Sequence, residues 1–354
     1  MKIERLRQLS DLYGVSGYEE EVAKYIQEHT MLPCQRDGLG SVITHYAGMD
    51  SRFSLLLAAH MDEVGFIVKD ITDEGFLHLE MIGSIWLHMI PGQLFAVVTA
   101  EKKCHIGVIG SRVSHGLKKE QKERVVSMDE IYLDLGVRQR KMVIEAGIAI
   151  GDMVVPVRNF APLMEPGYYR GKALDDRYGT AVVMTVMEEI QKAHADIYGA
   201  YTVMEEPGLR GARTVAAIVH PALAIAIDTT AAKDTPLDHD QVRLGDGVVI
   251  SMLDSNTIYH RKFMRYIEQL CQKKNIPHQY AVFISGGTDA GNIHKLYEGA
   301  ITMSLSLPIR YMHTSASVIN VKDGDACIAL LKAIIEDLTY EKFQELEGNR
   351  GCME

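Results

Sequence analysis

The chain has 354 residues, of which 47% are hydrophobic and 24% are charged, and its formal net charge is −10. This length suffices for one large domain or two smaller ones, whereas the negative charge argues against a nucleic-acid surface, which needs clustered lysine and arginine. No apolar stretch approaches the ~20 residues that span a bilayer, and the first residues do not have the pattern of a secretory leader. The five cysteines are dispersed and lack a C-x-x-C pair. We therefore expect a soluble cytoplasmic protein with reduced thiols and no membrane partner.

The N-terminal region is predicted to form two helices and then two strands. Apolar residues at helical spacing predict a first helix that stops near Gly14. Residues 16–19 have the S-x-x-E form of a capping box and predict the start of a second helix. Strands are predicted at 41–46 and 53–59, and the second is apolar throughout, as expected for a central strand covered on both faces. His60 lies where that strand ends.

The middle of the chain has a different pattern. Between residues 66 and 162, short β-type runs alternate with turns rich in glycine, aspartate and lysine, which predicts a small all-β domain. Beyond Gly171 the helix and strand patterns alternate again, with helices at 178–190 and 263–274, a closing helical region at 323–346, and strands at 199–204, 222–227, 279–284 and 301–307. We therefore predict an α/β fold, a mixed sheet with helices on both faces, formed by residues 1–65 and 163–354, with residues 66–162 inserted as a barrel-like β domain.

Most of the candidate metal-binding side chains follow an apolar run that looks like a buried strand. In chain order they are a histidine, an aspartate, a pair of glutamates, an aspartate and a histidine, namely His60, Asp175, Glu205–Glu206, Asp228 and His313. We expect these segments to meet at one rim of one sheet. Two imidazoles and several carboxylates gathered there would hold a pair of divalent metals, which points to hydrolysis.

The first two ligand candidates each have a purely structural alternative. His60 and Asp62 are two positions apart, so both side chains point the same way in an extended segment, and Asp62 can accept the second ring N–H of His60. A buried histidine that is hydrogen-bonded at a strand end accounts for His60 equally well. Asp175 and Asp176 precede an apolar helix. They are either an N-cap with an acidic neighbour, which the pair alone favours, or a metal bridge at Asp175 beside a cap at Asp176.

The string Val-Met-Glu-Glu occurs twice and provides an internal control. The copy at 186–189 lies inside a predicted helix, so its glutamates are expected to face solvent. The copy at 203–206 follows a strand and is cut off by Pro207, which restricts Glu206 to extended backbone. Adjacent side chains there point in different directions, which suits one metal ligand and one general base. In the mechanism that we expect, Glu205 takes a proton from a bridging water and passes it to the leaving amine.

Two further features concern the pocket and the metal. The glycine-rich residues 286–292 match neither a Walker nor a Rossmann spacing, and we expect them to line the pocket. Histidine and carboxylate ligands fit zinc, cobalt or manganese better than calcium.

Taken together, these residues resemble the M42 metallo-aminopeptidases, the group of glutamyl and tetrahedral aminopeptidases. The matching strings follow family order over nearly the whole chain: Ala-His-Met-Asp-Glu-Val-Gly (59–65), Lys-Ala-Leu-Asp-Asp-Arg (172–177), Glu-Glu-Pro-Gly-Leu-Arg-Gly-Ala (205–212), Gly-Gly-Thr-Asp-Ala-Gly-Asn-Ile-His (286–294) and Arg-Tyr-Met-His (310–313). The resemblance implies as metal ligands His60, Asp175, Glu206, Asp228 and His313, with Asp175 bridging. It implies Glu205 as the general base and Asp62 as the support of His60.

The resemblance also implies two divalent ions per subunit (zinc or cobalt, with manganese as a third choice) and peptide substrates. It implies cytoplasmic homo-oligomers, typically tetrahedral dodecamers built from dimers, with the β domain helping assembly. This sequence departs from the family pattern at three places. Pro207 replaces the more usual valine, two threonines follow Asp228, and Ser317 stands where many members carry an acid. The side-chain preference, acidic or aliphatic, and the native metal therefore stay open.

Three alternative functions use the same residues differently. A dimetal amidohydrolase acting on acylated amino acids would need the same ligands and a different pocket. A glycoside hydrolase of the endoglucanase type needs two carboxylates roughly 5–9.5 Å apart across a glycosidic bond and leaves both histidines without a role. A non-enzymatic assembly protein is disfavoured because the ligands and the base are all present.

Overall fold

The computed structural model describes residues 1–112, 115, 118–119, 123–238, 242–284 and 286–348, so Cys352 lies outside the described residues. The helices described are α1 (Ile3–Asp11), α2 (Glu20–His29), α3 (Arg140–Glu145), α4 (Leu174–Glu189), α5 (Arg210–Val219), α6 (Arg261–Lys274), α7 (Ala290–Ile293), α8 (Val321–Asp337) and α9 (Tyr340–Glu347). Within these ranges, no helix is long and apolar enough to cross a membrane.

A central mixed sheet organises the larger part of the chain. Its strands are β1 (Cys34–Arg36), β2 (Val42–Tyr46), β3 (Asp50–His60), β12 (Ala195–Thr202), β13 (Leu223–Ala231), β14 (Val248–Asp254), β15 (His278–Ile284) and β16 (Ile301–Ile309), and their order is β1-β2-β12-β3-β13-β16-β14-β15. The four middle strands β12, β3, β13 and β16 run parallel to one another. Their carboxyl ends therefore meet at one edge of the sheet, which is where parallel α/β sheets bind ligands.

Helices cover both faces of this sheet, as the apolar character of its middle strands predicts. Successive residues of β3 alternate between two apolar clusters: Leu55 and Leu57 pack with α1, α2, α4, α6, α8 and α9, whereas Leu56 and Ala58 pack with α5 and α7. The period of two along an extended strand produces this alternation. The predicted mixed α/β fold with helices on both faces is present.

Six further strands close into a barrel between Gly65 and Pro156. They are β4 (Gly65–Ile71), β5 (Leu77–Ile82), β6 (Leu94–Val98), β7 (Cys104–Gly110), β8 (Tyr132–Asp134) and β9 (Met153–Pro156), in the order β4-β5-β8-β7-β6-β9. The barrel has its own apolar core, and a smaller cluster that includes Tyr13 and Val15 joins it to the α/β part. The barrel-like insert is therefore present, while the exact limits 66 and 162 stay a prediction. A third, small sheet contains β10 (Ala161–Pro162), β11 (Tyr168–Gly171) and β17 (Ser317–Asn320).

The structure corrects two local predictions. The capping box at residues 16–19 is wrong, because α2 begins at Glu20 and its N-cap, Glu19, makes no side-chain cap hydrogen bond. Ser16 instead donates to Asp62, so a tertiary contact outweighs the local one. Asp228 lies inside β13 rather than after it, but β3 pairs with β13 only as far as Ala226, which leaves Asp228 beyond the end of that pairing. Helix α5 and strand β14 were not predicted from the sequence.

Candidate active site

The carboxyl edge of the four parallel strands brings the predicted site residues together. His60 ends β3, the glutamate pair follows β12, Asp228 lies in the last part of β13, and His313 follows β16. Asp175 comes from the first turn of α4, where its backbone angles are not helical. All seven predicted residues line or underlie one cavity of about 400 Å³, whose walls also include Gly286, Gly287 and Thr288 of the glycine-rich loop. That loop therefore lines the pocket, as predicted.

Asp175 lies between the two imidazoles. Its Oδ1 is 3.3 Å from His60 Nε2 and its Oδ2 is 3.2 Å from His313 Nε2. Oδ1 is buried and accepts no hydrogen bond, because its approach to His60 lacks hydrogen-bonding geometry. A buried carboxylate oxygen without a donor is costly, and a cation between it and the imidazole would satisfy both atoms. Asp175 is therefore the carboxylate that faces both imidazoles.

Each imidazole has a second carboxylate partner. Asp228 Oδ1 is 3.8 Å from His60 Nε2, and Glu206 Oε1 is 3.4 Å from His313 Nε2. Two groups of three residues have ligand atoms within 4.8 Å of one another, namely His60 with Asp175 and Glu206, and His60 with Asp176 and Asp228. Nitrogen and carboxylate donors in such groups fit zinc and similar transition metals.

Asp176 caps helix α4 and also binds the backbone of His60. One of its oxygens accepts from the backbone N–H of Gly179 at 3.0 Å, as an N-cap does. The other accepts from the backbone N–H of His60 at 3.3 Å. Both oxygens of Asp176 are thus engaged by backbone N–H groups, and one of these bonds holds the backbone of His60. The N-cap interpretation thus applies to the second aspartate of the pair.

Asp62 is fully buried and supports more than His60. Its carboxylate accepts hydrogen bonds from Ser16 Oγ at 2.6 Å and from the backbone N–H groups of Glu205 at 3.0 Å and Glu206 at 3.2 Å. His60 Nδ1 is 3.1 Å from the main-chain oxygen of Asp62 and 3.4 Å from its carboxylate. One side chain therefore fixes both the histidine segment and the glutamate turn.

The crowded, buried carboxylates of the site favour the binding of positive charge. Burial raises the pKa of Glu205 well above its usual range. The nearby carboxylates of Asp228 and Glu206 also raise this pKa, whereas His60 lowers it. Burial likewise raises the pKa of Glu206 to about 8. For His313, burial is outweighed by Asp175 and Glu206, which raise its pKa to about 9. Divalent cations would compensate the crowded carboxylates and displace protons from the imidazoles.

Two contributors to this site had no readable signal in the sequence. Ser84, in the barrel segment after β5, lines the cavity, and Gly83 beside it packs against Glu206. The docking of the barrel on the sheet creates these contacts, so no local pattern could reveal them. Ser16 did carry a signal, but that signal indicated a helix cap. A second cleft of about 410 Å³ lies beside α6 and α9, and none of the predicted site residues lines it.

Known proteins are similar to this chain over most of its length. The family model described as M42 glutamyl aminopeptidase matches residues 40–330. The putative aminopeptidase FrvX of Escherichia coli is 33% identical over 97% of both chains. The lysyl aminopeptidase of Pyrococcus furiosus is 32% identical over 95% of this chain and 97% of its own. The glutamyl aminopeptidase of Lactococcus lactis is 28% identical over 98% and 99%.

Solved structures are similar over the whole chain. The aminopeptidase APDkam598 of Desulfurococcus kamchatkensis has a TM-score of 0.94 at 32% identity and covers 99% of this chain and 98% of its own. The TET1 peptidase of Pyrococcus horikoshii, described as able to assemble into a tetrahedron or a large octahedral shell, has a TM-score of 0.85 at 30% identity and covers 95% and 99%. The α/β sheet, the barrel and their connection are thus shared with these peptidases.

Proposed function

The chain belongs to the M42 aminopeptidase family and is a peptide hydrolase, and we propose that it removes N-terminal residues from peptides with two divalent metal ions per subunit. The observation that carries this proposal is the position of Asp175. Its buried Oδ1 faces His60 Nε2 at 3.3 Å and its Oδ2 faces His313 Nε2 at 3.2 Å, an arrangement that leaves room for one ion on each side.

The residues divide into two ion-binding halves around Asp175. His60 and Asp228 would hold one ion, and His313 and Glu206 the other, with Asp175 shared. When bound, the two ions lower the pKa of a water and polarise the scissile carbonyl. Zinc and cobalt suit these nitrogen and oxygen donors, and manganese is the third choice.

Glu205 is the general base in this proposal. It lines the cavity, its Oε2 is 4.0 Å from His60 Nε2, and its backbone is held by Asp62. Glu205 accepts a proton from the water as the water oxygen bonds to the carbonyl carbon. It then donates that proton to the amine nitrogen as the C–N bond breaks. Asp62 positions His60 and the turn that carries both glutamates.

We also propose that the chain works in the cytoplasm as a homo-oligomer, a tetrahedral dodecamer built from dimers. The assembly of the similar TET1 peptidase supports this. In the barrel, Leu94 and Val108 pair across β6 and β7, and Ile106 lies on the same face. All three side chains are exposed, which gives the barrel domain an apolar surface suited to assembly.

A chelator and one glutamate substitution test the proposed chemistry. Chelation should abolish hydrolysis of aminoacyl chromogenic substrates, and added zinc, cobalt or manganese should restore it. Glu205→Gln should lower kcat by about 10²- to 10⁴-fold, the usual contribution of a general base, while two metal ions per chain still bind.

The repeated Val-Met-Glu-Glu string supplies the matched control. Glu188 occupies the position of Glu205 in the first copy, but it binds Lys2 and Arg5 at the surface. Glu188→Gln should therefore leave kcat within about twofold, as expected for a surface change far from the site. Activity that is indifferent to chelation, or equal in the two variants, would contradict the mechanism. Preference for acylated amino acids over peptides would favour the amidohydrolase alternative.

A further inference from the structure

Three buried charges lie directly behind the proposed metal site and take no part in the proposed chemistry. Glu63, Lys172 and Arg177 are at most 2% exposed. Lys172 Nζ donates to Glu63 Oε1 at 2.7 Å, and Arg177 lies 3.7 Å from the same oxygen. We call these three residues the charged clamp. Buried ions are costly unless they are paired and fully hydrogen-bonded, so a group that brings two cations to one anion calls for an explanation.

The hydrogen bonds of Arg177 join three separate segments. Its Nε donates to the main-chain oxygen of Met61, the residue between His60 and Asp62. Its terminal nitrogens donate to main-chain oxygens after or near the end of α1: Leu9 at 2.7 Å, Leu12 at 3.3 Å and Gly14 at 3.4 Å. Arg177 itself lies two residues beyond Asp175. One planar guanidinium therefore sets the distance between the histidine segment and the Asp175 turn.

Lys172 and Glu63 bind the same segment at and after the end of α1 that Arg177 binds. Lys172 Nζ donates to the main-chain oxygens of Leu12 at 2.9 Å and Ser10 at 3.4 Å. Glu63 Oε1 accepts from the backbone N–H of Gly14 at 3.1 Å, and the backbone N–H of Glu63 donates to the Gly14 oxygen at 3.0 Å. The segment after α1 is thereby fixed, and it carries Ser16, which donates to Asp62.

Resting on the proposed function, we propose that the charged clamp positions His60 against Asp175 and thereby sets the affinity of the metal site they share. Groups that orient metal ligands typically contribute about 10- to 100-fold in metal affinity. The clamp carries one more positive than negative charge, and it lies beside the buried acids of the site. It therefore also offsets part of their repulsion without occupying the ion positions.

Arg177→Lys is the informative variant, because it keeps the charge and removes the planar fork that bonds several carbonyls at once. Zinc affinity is measured by competition with a chromophoric chelator. We expect Arg177→Lys to weaken zinc binding about 10- to 100-fold, while kcat at saturating zinc stays within about threefold because the clamp does not touch reacting atoms. Glu63→Gln, which keeps the shape of the side chain, is a second variant and should also weaken binding.

A control separates this role from a general loss of stability. Leu270→Ala removes core volume in α6, beside the second cleft, and its midpoint of thermal unfolding is compared with that of Arg177→Lys. If Leu270→Ala weakens zinc binding as much as Arg177→Lys at equal loss of thermal stability, the clamp proposal is overturned. Unchanged affinity in both clamp variants also overturns it.

The two halves of the site provide a finer test. In a His313→Ala background the ion held by His60 remains, and there Arg177→Lys should weaken zinc binding by the same factor of about 10 to 100. In a His60→Ala background the loss should be under about threefold, because Arg177 bonds the His60 segment and not the His313 loop. Equal losses in both backgrounds would overturn the assignment. Wild-type protein that binds no divalent ion would instead contradict the proposed function itself.

Discussion

Asp62 shows how a single buried carboxylate can organise a site to which it contributes no ligand in our proposal. Its partners come from the segment after α1, from the end of β3 and from the turn after β12. These segments are far apart in sequence and meet only because the fold places them there. The same holds for Arg177 and its carbonyl partners. At the scale of single residues, the site is held by side chains that bind backbone groups of other segments.

Lys233 carries the prediction about substrate preference. Among the described residues that line the cavity, it is the one lysine or arginine. Its backbone N–H donates to the main-chain oxygen of Val242, which holds the backbone at Lys233. We expect a glutamyl substrate to be cleaved with higher kcat/KM than a lysyl one, because the ammonium group attracts a carboxylate side chain.

Lys233→Met should lower kcat/KM for the glutamyl chromogen by about tenfold, equivalent to about 1.4 kcal/mol, and leave the alanyl chromogen within about twofold. Lys332→Met, a lysine on α8 that is paired with Glu189, is the control and should change neither. A preference for the lysyl substrate, or an equal effect of Lys233→Met on the glutamyl and alanyl chromogens, would show that Lys233 does not determine the side-chain preference.

At the scale of elements, the turn after β5 connects the barrel to the chemistry. Gly83 has φ +77°, and a Cβ there would lie 2.7 Å from Val64 Cγ1 and 3.2 Å from Glu206 Cβ. Only glycine adopts this conformation without strain, and only glycine leaves Glu206 in place. The barrel therefore limits the position of a proposed metal ligand through its backbone.

Gly83→Ala should displace Glu206 by a few tenths of an ångström and lower kcat/KM by about tenfold, less than the roughly 100-fold effect of a 1 Å misplacement. Gly92→Ala is the matched control, because Gly92 also has a positive φ, +85°, but a Cβ there meets nothing within 4 Å. Steady-state kinetics of both variants test this prediction. Equal activities would mean that the contact with Glu206 is unimportant.

Asp323, in the first turn of α8, gives a prediction about pH. Its carboxylate accepts from the backbone N–H groups of Gly245 and Gly247 at 2.8–3.0 Å, and burial raises its pKa from 3.8 to about 7. The folded state thus binds a proton more tightly than the unfolded state. The stabilisation is fully present below about pH 4 and is lost as the pH rises toward 7.

Asp323→Asn removes this titration. The free energy of unfolding of the wild type, measured relative to Asp323→Asn by urea denaturation, should fall between pH 4 and pH 7 by up to about 4 kcal/mol. Asp325→Asn, a change at an exposed residue on the same helix, should show no such trend. A relative stability of wild type and Asp323→Asn that is constant with pH would contradict the prediction.

At the scale of the whole molecule, the barrel and the α/β part have separate apolar cores and one small cluster between them. This separation supports the predicted division of the chain, in which residues 66–162 form an inserted domain. Substitutions on the outer surface of such a domain do not disturb the strands that carry the site. The barrel can therefore carry an assembly surface without altering the site.

Ile106→Asp should break the proposed assembly, because Ile106 is 61% exposed and a buried, unpaired carboxylate in an apolar interface is strongly unfavourable. Light scattering coupled to gel filtration should show a smaller particle than the wild type. Ile218→Asp, which changes an apolar residue of α5 that is 45% exposed, should leave the mass unaltered. A monomeric wild type, or an unchanged mass for Ile106→Asp, would contradict the proposed interface.

Local patterns in the sequence were sufficient for much of the fold. The apolar run before His60 predicts a central strand, and β3 is one; the β-type runs after residue 65 predict barrel strands, and each of those runs corresponds to one. Strand β5 and helix α5 were missed, although β5 alternates buried and exposed residues at its start and α5 buries one face, at Ala212, Val215 and Ala216. The capping box failed for a tertiary reason, since Ser16 donates to buried Asp62 and not to a helix end.

The sequence by itself determined which residues could act: two histidines and several carboxylates, most of them at or near the end of an apolar run, in an order that resembles one family. It could not show which of Asp175 and Asp176 caps the helix, or that Glu63, Lys172 and Arg177 lie buried behind them. Only the tertiary structure decided these points. The physical reason is that a strand or a cap depends on neighbours in the chain, whereas a metal site and a buried ion pair depend on distances between segments more than one hundred residues apart.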